Sequence, residues 1–158
     1  MIRIILLCCL VLFSATAWAE ERGRSEVIEV PRNDVEMNKA IQKARESLDV
    51  FVERLKSPQD GDSNFTLKVA VTDEQGTEHF WVSDISLTSS GFEGVIANEA
   101  EVVKAVSLGQ KVSFDADVVS DWSFEHNGVK QGAFTLRVLL ERMPEEQAEY
   151  YKQVVGWD

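Results

Sequence analysis

The sequence predicts one α+β domain, a curved antiparallel sheet of about five strands, or a small open barrel, packed against an N-terminal helix and a C-terminal helix. Three observations predict it. Apolar residues recur at spacings of three and four across residues 34–56, and the apolar period then drops to two in several short runs between residues 65 and 119. Pro144 opens a last stretch whose first turn is acidic, as a helix N-terminus favours. At 158 residues, without an internal repeat or a linker, the chain has the length of a single domain.

The N-terminus is set apart first. Arg3 precedes an apolar run over residues 4–13, and Ala17-Trp18-Ala19 supplies the small residues of a cleavage site, so residues 1–19 read as a secretory signal peptide. The run is too short for a membrane span, which takes about 20 residues. Cys8 and Cys9 stand too early in it for a lipoprotein cysteine. Cleavage after Ala19 would remove both cysteines and deepen the formal charge from −11 to −12, since Arg3 is lost with them. A thiol nucleophile, a disulfide and a cysteine-bound metal are thereby excluded for the exported product. Residues 20–33, charged and poor in apolar side chains, read as a flexible leader before a domain at 34–158.

The helix at 34–56 carries Val35, Met37, Ile41, Ala44, Leu48, Phe51, Val52 and Leu55 as its apolar stripe, with Asn33 and Glu36 placed for a capping box and Ser57-Pro58 as its stop. Phe65, Leu67, Val69 and Val71 then alternate with polar or small residues as a half-buried strand. Asp73-Glu74-Gln75-Gly76 turns the chain into a second strand over 78–87, with Phe80, Val82 and Asp84 on one face and His79, Trp81, Ser83 and Ile85 on the other. Residues 92–97 form a third, in which Gly94 marks a bulge or a close backbone approach. Asn98 is placed to cap a short helix or turn over 99–107, and a further strand covers 111–119. The stretch 121–128 ends in Asn127-Gly128, a turn pair that points to a sheet edge. Residues 132–143 fit both periods, and their β-branched content favours a strand over a helix. A closing helix runs over 145–155.

A formal charge of −11 argues against nucleic acid and anionic membrane, whose recognition needs clustered Lys and Arg. The two histidines, His79 and His126, each have carboxylates nearby, yet no HExxH spacing places them on one metal. No G-x-S-x-G elbow serves the serines, and Gly91-Phe92-Glu93-Gly94 lacks the Lys and helix of a phosphate loop. Neither a metal nor a cofactor is expected.

More specific is a set of motifs in register: Glu78-His79-Phe80-Trp81-Val82, Phe92-x-Gly94-x-Ile96-x-Asn98, Val106-x-x-Gly109-x-x-Val112-x-Phe114, Ser120-Asp121-Trp122, and Gly132-Ala133-Phe134-Thr135-Leu136-Arg137. Over residues 34–142 this resembles the YegJ-like family, a bacterial domain with no established activity to carry over. The resemblance implies a bacterial, periplasmic protein. Residues 145–158 lie outside the quoted pattern.

Two readings of these residues follow. In one, the aromatic residues fill a core while His79 and Asp121 close hydrogen bonds at strand ends; in the other, Glu78, His79, Trp81, Asp121, Trp122 and Arg137 line one cleft that binds a ligand or partner. The expected function is a non-enzymatic periplasmic domain for protein interaction or ligand binding, of the inhibitor or immunity kind, with its negative charge steering a basic protein partner or with a small ligand in the cleft. No stable membrane anchor is expected after cleavage. The competing expectation is a hydrolase using His79 or His126 with Asp121.

Overall fold

The computed structural model describes residues 33–154 and Trp157. The signal peptide expected at 1–19 and the leader at 20–33, Asn33 apart, lie outside the described residues. The domain is α+β and the sheet is antiparallel, as the periodicities predict.

The N-terminal apolar stripe folds as two helices, α1 (Val35–Glu46) and α2 (Leu48–Lys56), where the sequence predicts one. The break falls at Ser47. Its hydroxyl donates to the Lys43 carbonyl at 2.7 Å, the competition with helical bonding that serine offers, and it also receives the Trp122 indole N–H at 3.2 Å. The expected capping box does not form. Asp34, not Asn33, caps α1 by accepting from Met37 N, and Glu36 instead joins Asp34 in binding Arg142.

Among the described residues six strands follow, one more than expected: β1 (Asp62–Asp73), β2 (Gly76–Leu87), β3 (Phe92–Ile96), β4 (Lys111–Phe114), β5 (Val119–His126) and β6 (Val129–Gly132). Their order is β4-β3-β2-β1-β5-β6, and the ends do not pair, so the sheet is open rather than a barrel. The strand expected over 111–119 stops at Phe114, and a single 3-10 turn, Ala116–Val118, carries the chain across to β5. Asn127-Gly128 does make a turn, but β5 lies inside the sheet between β1 and β6. On β2 the expected face holds through Val82 and then fails: Asp84 adopts φ +51° at a register shift, so that its side chain is exposed and Ile85 rejoins the core. Gly94 is the expected close approach, since a Cβ there would stand 2.6 Å from the Ser83 carbonyl oxygen.

Residues 99–107 form a loop, not a helix, because their backbone donors go to side chains of the sheet. The Glu78 carboxylate accepts from Glu101, Val102 and Val103 N–H, Asp73 accepts from Lys104 and Ala105, and Asn98 accepts from Trp81 N. Residues 132–143, expected as a strand, contain helix α3 (Phe134–Arg142), and α4 (Glu145–Val154) follows Pro144 as predicted.

One sheet face is the core. Leu67, Val69, Phe80, Val82, Ile96, Trp122 and Phe124 are buried there with Ala44 and Phe51 of the helices and Val103 and Val106 of the loop. On the other face Thr66, Lys68, Ala70, His79, Trp81 and Ser83 are half-buried or exposed.

Candidate functional site

Alternation within strands and the register between them decide which candidate residues can meet. Lys68 is paired with Trp81 of β2 on one side and Asp121 of β5 on the other, so Trp81, Lys68 and Asp121 form one row across three strands. In the next row His79 faces Ala70. A register shift after Asp121 bulges Ser120 toward it, and the His79 Nδ1 to Ser120 Oγ distance is 2.8 Å.

Asp121 is the anchor of the row. Its side chain is fully buried and accepts four hydrogen bonds, from Trp122 N and Phe134 N on Oδ1 and from Thr135 N (2.7 Å) and Thr135 Oγ1 (2.6 Å) on Oδ2. Two of these are the first amides of α3. The residue before that helix, Ala133, sits at φ +52° and has no side chain able to cap, so a carboxylate from a neighbouring strand does so. Gly132 makes the approach feasible: it has φ +72°, and a Cβ there would lie 2.3 Å from the Trp122 carbonyl oxygen. Burial pushes the Asp121 pKa up, against the Thr135 and Trp122 donors and the Lys68 charge.

Lys68 is drawn into the same polar layer. Its ammonium reaches Thr135 Oγ1 at 3.3 Å and lies 5.6 Å from the Trp81 ring centroid. Burial lowers its pKa and Asp121 opposes that. Arg137, one turn into α3, donates from Nε to the Gly132 carbonyl and stacks its guanidinium 3.9 Å from the Trp157 ring centroid. Its pKa is likewise lowered by burial and raised by Asp121.

Of the six residues expected to share a cleft, His79, Trp81 and Asp121 stand on this face, and Arg137 is within electrostatic reach of Asp121. Glu78 and Trp122 do not join them. Glu78 projects to the core face, where it holds the loop, and Trp122 is buried there, its indole N–H donating to the Ala44 carbonyl at 3.0 Å. His126 also lies on that side, bonded to Asp62 at 2.8 Å beside Arg54, and five residues along β5 from Asp121, about 17 Å in an extended strand. Sequence reasoning did not name Lys68, Ser120, Thr135 or Trp157 as site residues, although Ser120 and Thr135 stand within the quoted motifs. Among the described residues no three His, Cys, Asp or Glu side chains could hold a metal ion together. A wide depression of about 810 Å³ lies further along the sheet, lined by Asn64, Thr66, Ser83, Asp84, Glu125 and Lys130 among others, and holds none of the six.

His79 carries a pH signature. Partial withdrawal from water, with the Lys68 and Arg45 charges nearby, pushes its pKa from 6.5 to about 4. Between those values an unfolded chain binds a proton that the folded chain does not, so the stability contributed above pH 6.5 is lost as pH falls toward 4. The ring keeps an exposed side, and solvent screening reduces the effect to about 1 kcal/mol. The melting temperature of wild type relative to His79→Gln should therefore fall by about 4 °C between pH 7 and pH 4. A His79 ring titrating by NMR near 6.5 would contradict the assignment.

Residues 34–158 match a family described as an uncharacterized protein conserved in bacteria (DUF2314), so the match includes the C-terminal residues 145–158 that the quoted motifs leave out. The uncharacterized protein YegJ of Escherichia coli (strain K12) is 31% identical over 148 residues, which cover 93% of this chain and 94% of that one. A Neisseria meningitidis serogroup B protein named "Putative ankyrin repeat protein" is 29% identical over 154 residues, 86% of this chain and 57% of that protein. No solved structure matches. The chain thus belongs to the DUF2314 family of bacterial proteins, with YegJ as a full-length homologue.

Proposed function

We propose that the protein is exported to the periplasm and there serves as a binding domain, taking a protein partner or small ligand on the open sheet face around Trp81. The observation that carries this reading is the asymmetry of the sheet. One face is buried under helices and loop, whereas the other presents a half-buried tryptophan with Lys68 over its ring and His79 beside it. An aromatic anchor with a few polar neighbours is the composition of binding surfaces. The net charge, −11 for the full chain and −12 after cleavage at Ala19, would steer a basic partner toward the molecule as a whole.

Hydrolysis by His79 or His126 with Asp121 has less support. His79 bonds Ser120 rather than Asp121, and the Ser120 hydroxyl is buried, within 3.2 Å of the Lys68 carbonyl oxygen to which it can donate. Both Asp121 oxygens are occupied by donors from β5 and α3. A nucleophile or its carboxylate partner must act where substrate can reach, and the Ser120 hydroxyl and the Asp121 carboxylate face inward.

Periplasmic extract passed over immobilised residues 20–158 should leave a stoichiometric partner or ligand. Trp81→Ala should reduce its retention at least tenfold while lowering the melting temperature by no more than about 4 °C, the cost of about 1 kcal/mol for truncating a half-buried side chain. Equal retention by wild type and variant would overturn the proposal. Fractionation tests export separately, through an intact mass that begins after Ala19.

A further inference from the structure

The wide depression further along the sheet is built by a departure from strand geometry. A regular strand sends successive side chains to opposite faces, so only alternate residues can line one hollow. Here consecutive residues line it: Asn64, Phe65 and Thr66 of β1, and Ser83, Asp84 and Ile85 of β2. Each run coincides with a register shift, between Ser63 and Thr66 against β5 and between Ser83 and Ser86 against β3. Each also holds one non-glycine residue at positive φ, Asn64 at +52° and Asp84 at +51°. Bulges re-aim side chains and are over-represented beside active sites, and left-handed residues gather at ligand clamps. Two such shifts on neighbouring strands serve one hollow.

The polar part of the lining is held in place. Glu125 and Lys130, cross-strand partners on β5 and β6, meet at 3.5 Å with side chains only 20% and 13% exposed, so they belong to the floor and not to the solvent. The Asn64 amide donates to the second Glu125 oxygen at 2.8 Å, and the Thr66 hydroxyl is fixed by that of Ser123 at 2.8 Å. Since Glu125 answers the Lys130 charge, the exposed Asp84 leaves the hollow with one net negative charge, which repels phosphates and carboxylates. Leu55, Phe65 and Ile85 add an apolar side. The volume of about 810 Å³ falls within the roughly 300–1,000 Å³ of small-molecule sites.

We infer that this depression binds a neutral carbohydrate. A sugar ring carries hydroxyls on its rim and C–H groups on its faces, so it is matched by side chains that donate and accept beside an apolar surface. Asn64, Thr66, Ser83 and Gln153 both donate and accept, and the Asp84 carboxylate has two oxygens that can take neighbouring hydroxyls together. The Phe65 side supplies the apolar surface. The site is separate from the surface around Trp81, which it neither contains nor requires.

The test is an NMR titration of the mature chain with methyl α-glucoside, methyl α-galactoside and N-acetylglucosamine, alongside putrescine as a cationic probe and inorganic phosphate as an anionic one. At least one sugar should shift the Asn64 side-chain amide and the Lys130 backbone amide saturably. Asp84→Gly and Asn64→Gly should each weaken that binding at least tenfold with the fold intact, because glycine adopts their positive φ freely. Failure of every sugar to saturate, tighter binding of putrescine or phosphate than of any sugar, or wild-type sugar affinity in both glycine variants would overturn the inference.

Discussion

Asp121→Ala is expected to lower the stability of the domain by about 4–5 kcal/mol, the cost of breaking a buried charged network. The substitution strands three donors at the head of α3, namely Phe134 N, Thr135 N and Thr135 Oγ1, in a place that water reaches poorly. Each buried unsatisfied donor costs about 1–3 kcal/mol, and Lys68 loses its nearest counter-charge as well. Against a total stability of about 5–15 kcal/mol, this leaves the fold marginal or unfolded at 37 °C. Asp121→Asn keeps an oxygen for Trp122 and Phe134 but turns an amide group toward the Thr135 donors, so it should cost roughly half as much. Urea denaturation of both variants measures this. A value for Asp121→Ala within 1 kcal/mol of wild type would mean that α3 does not depend on the cap.

The same contact explains why α3 was illegible in the sequence. A helix start is normally announced by a local Ser, Thr, Asp or Asn, and here Gly132-Ala133 precedes it with neither. The cap stands 13 residues away on β5, so no local pattern could break the tie between the two periods in residues 132–143. The loop at 97–110 was hidden similarly. Its amides are satisfied by Glu78 and Asp73, carboxylates that in the sequence look like ordinary members of an acidic surface. By contrast, β1 and the first half of β2 were legible because alternation alone fixes a strand with one buried face, until Asp84 inserted a shift.

The candidate site was legible as a list of chemical residue types but not as a place. Period-two reasoning separates Glu78 from His79 within β2, yet the separation of Trp122 from Asp121 matters only once β5 is known to lie beside β1. Lys68 gave no signal, because a lysine on the polar side of a strand is what a solvated face presents. Register converts it: opposite Trp81 and Asp121, with its ammonium on Thr135 at the start of α3, it becomes a half-buried cation. Trp157 was beyond any pattern, since its ring meets Arg137 only through the path of the C-terminal segment.

Trp122→Ala and Trp81→Ala should behave as opposites, and the comparison separates the core from the surface. Trp122 is 4% exposed, packs against Phe51, Phe124 and Phe134 at centroid distances of 6.0, 5.9 and 5.5 Å, and ties the sheet to the end of α1 through its indole N–H. Truncating it removes a large buried side chain and leaves a cavity where α1, α3 and β5 meet, a change that costs about 3–5 kcal/mol. Trp122→Phe keeps part of the ring contact but not the indole bond, and belongs between the alanine variant and wild type. Trp81 has Lys68 over one side of its ring and no contact of this kind with the helices, so its truncation should cost about 1 kcal/mol. Denaturation midpoints at unchanged m-value measure both. If Trp81→Ala proved as costly as Trp122→Ala, Trp81 would be part of the packing that holds the sheet together, and a loss of binding in that variant would report unfolding instead of a removed contact.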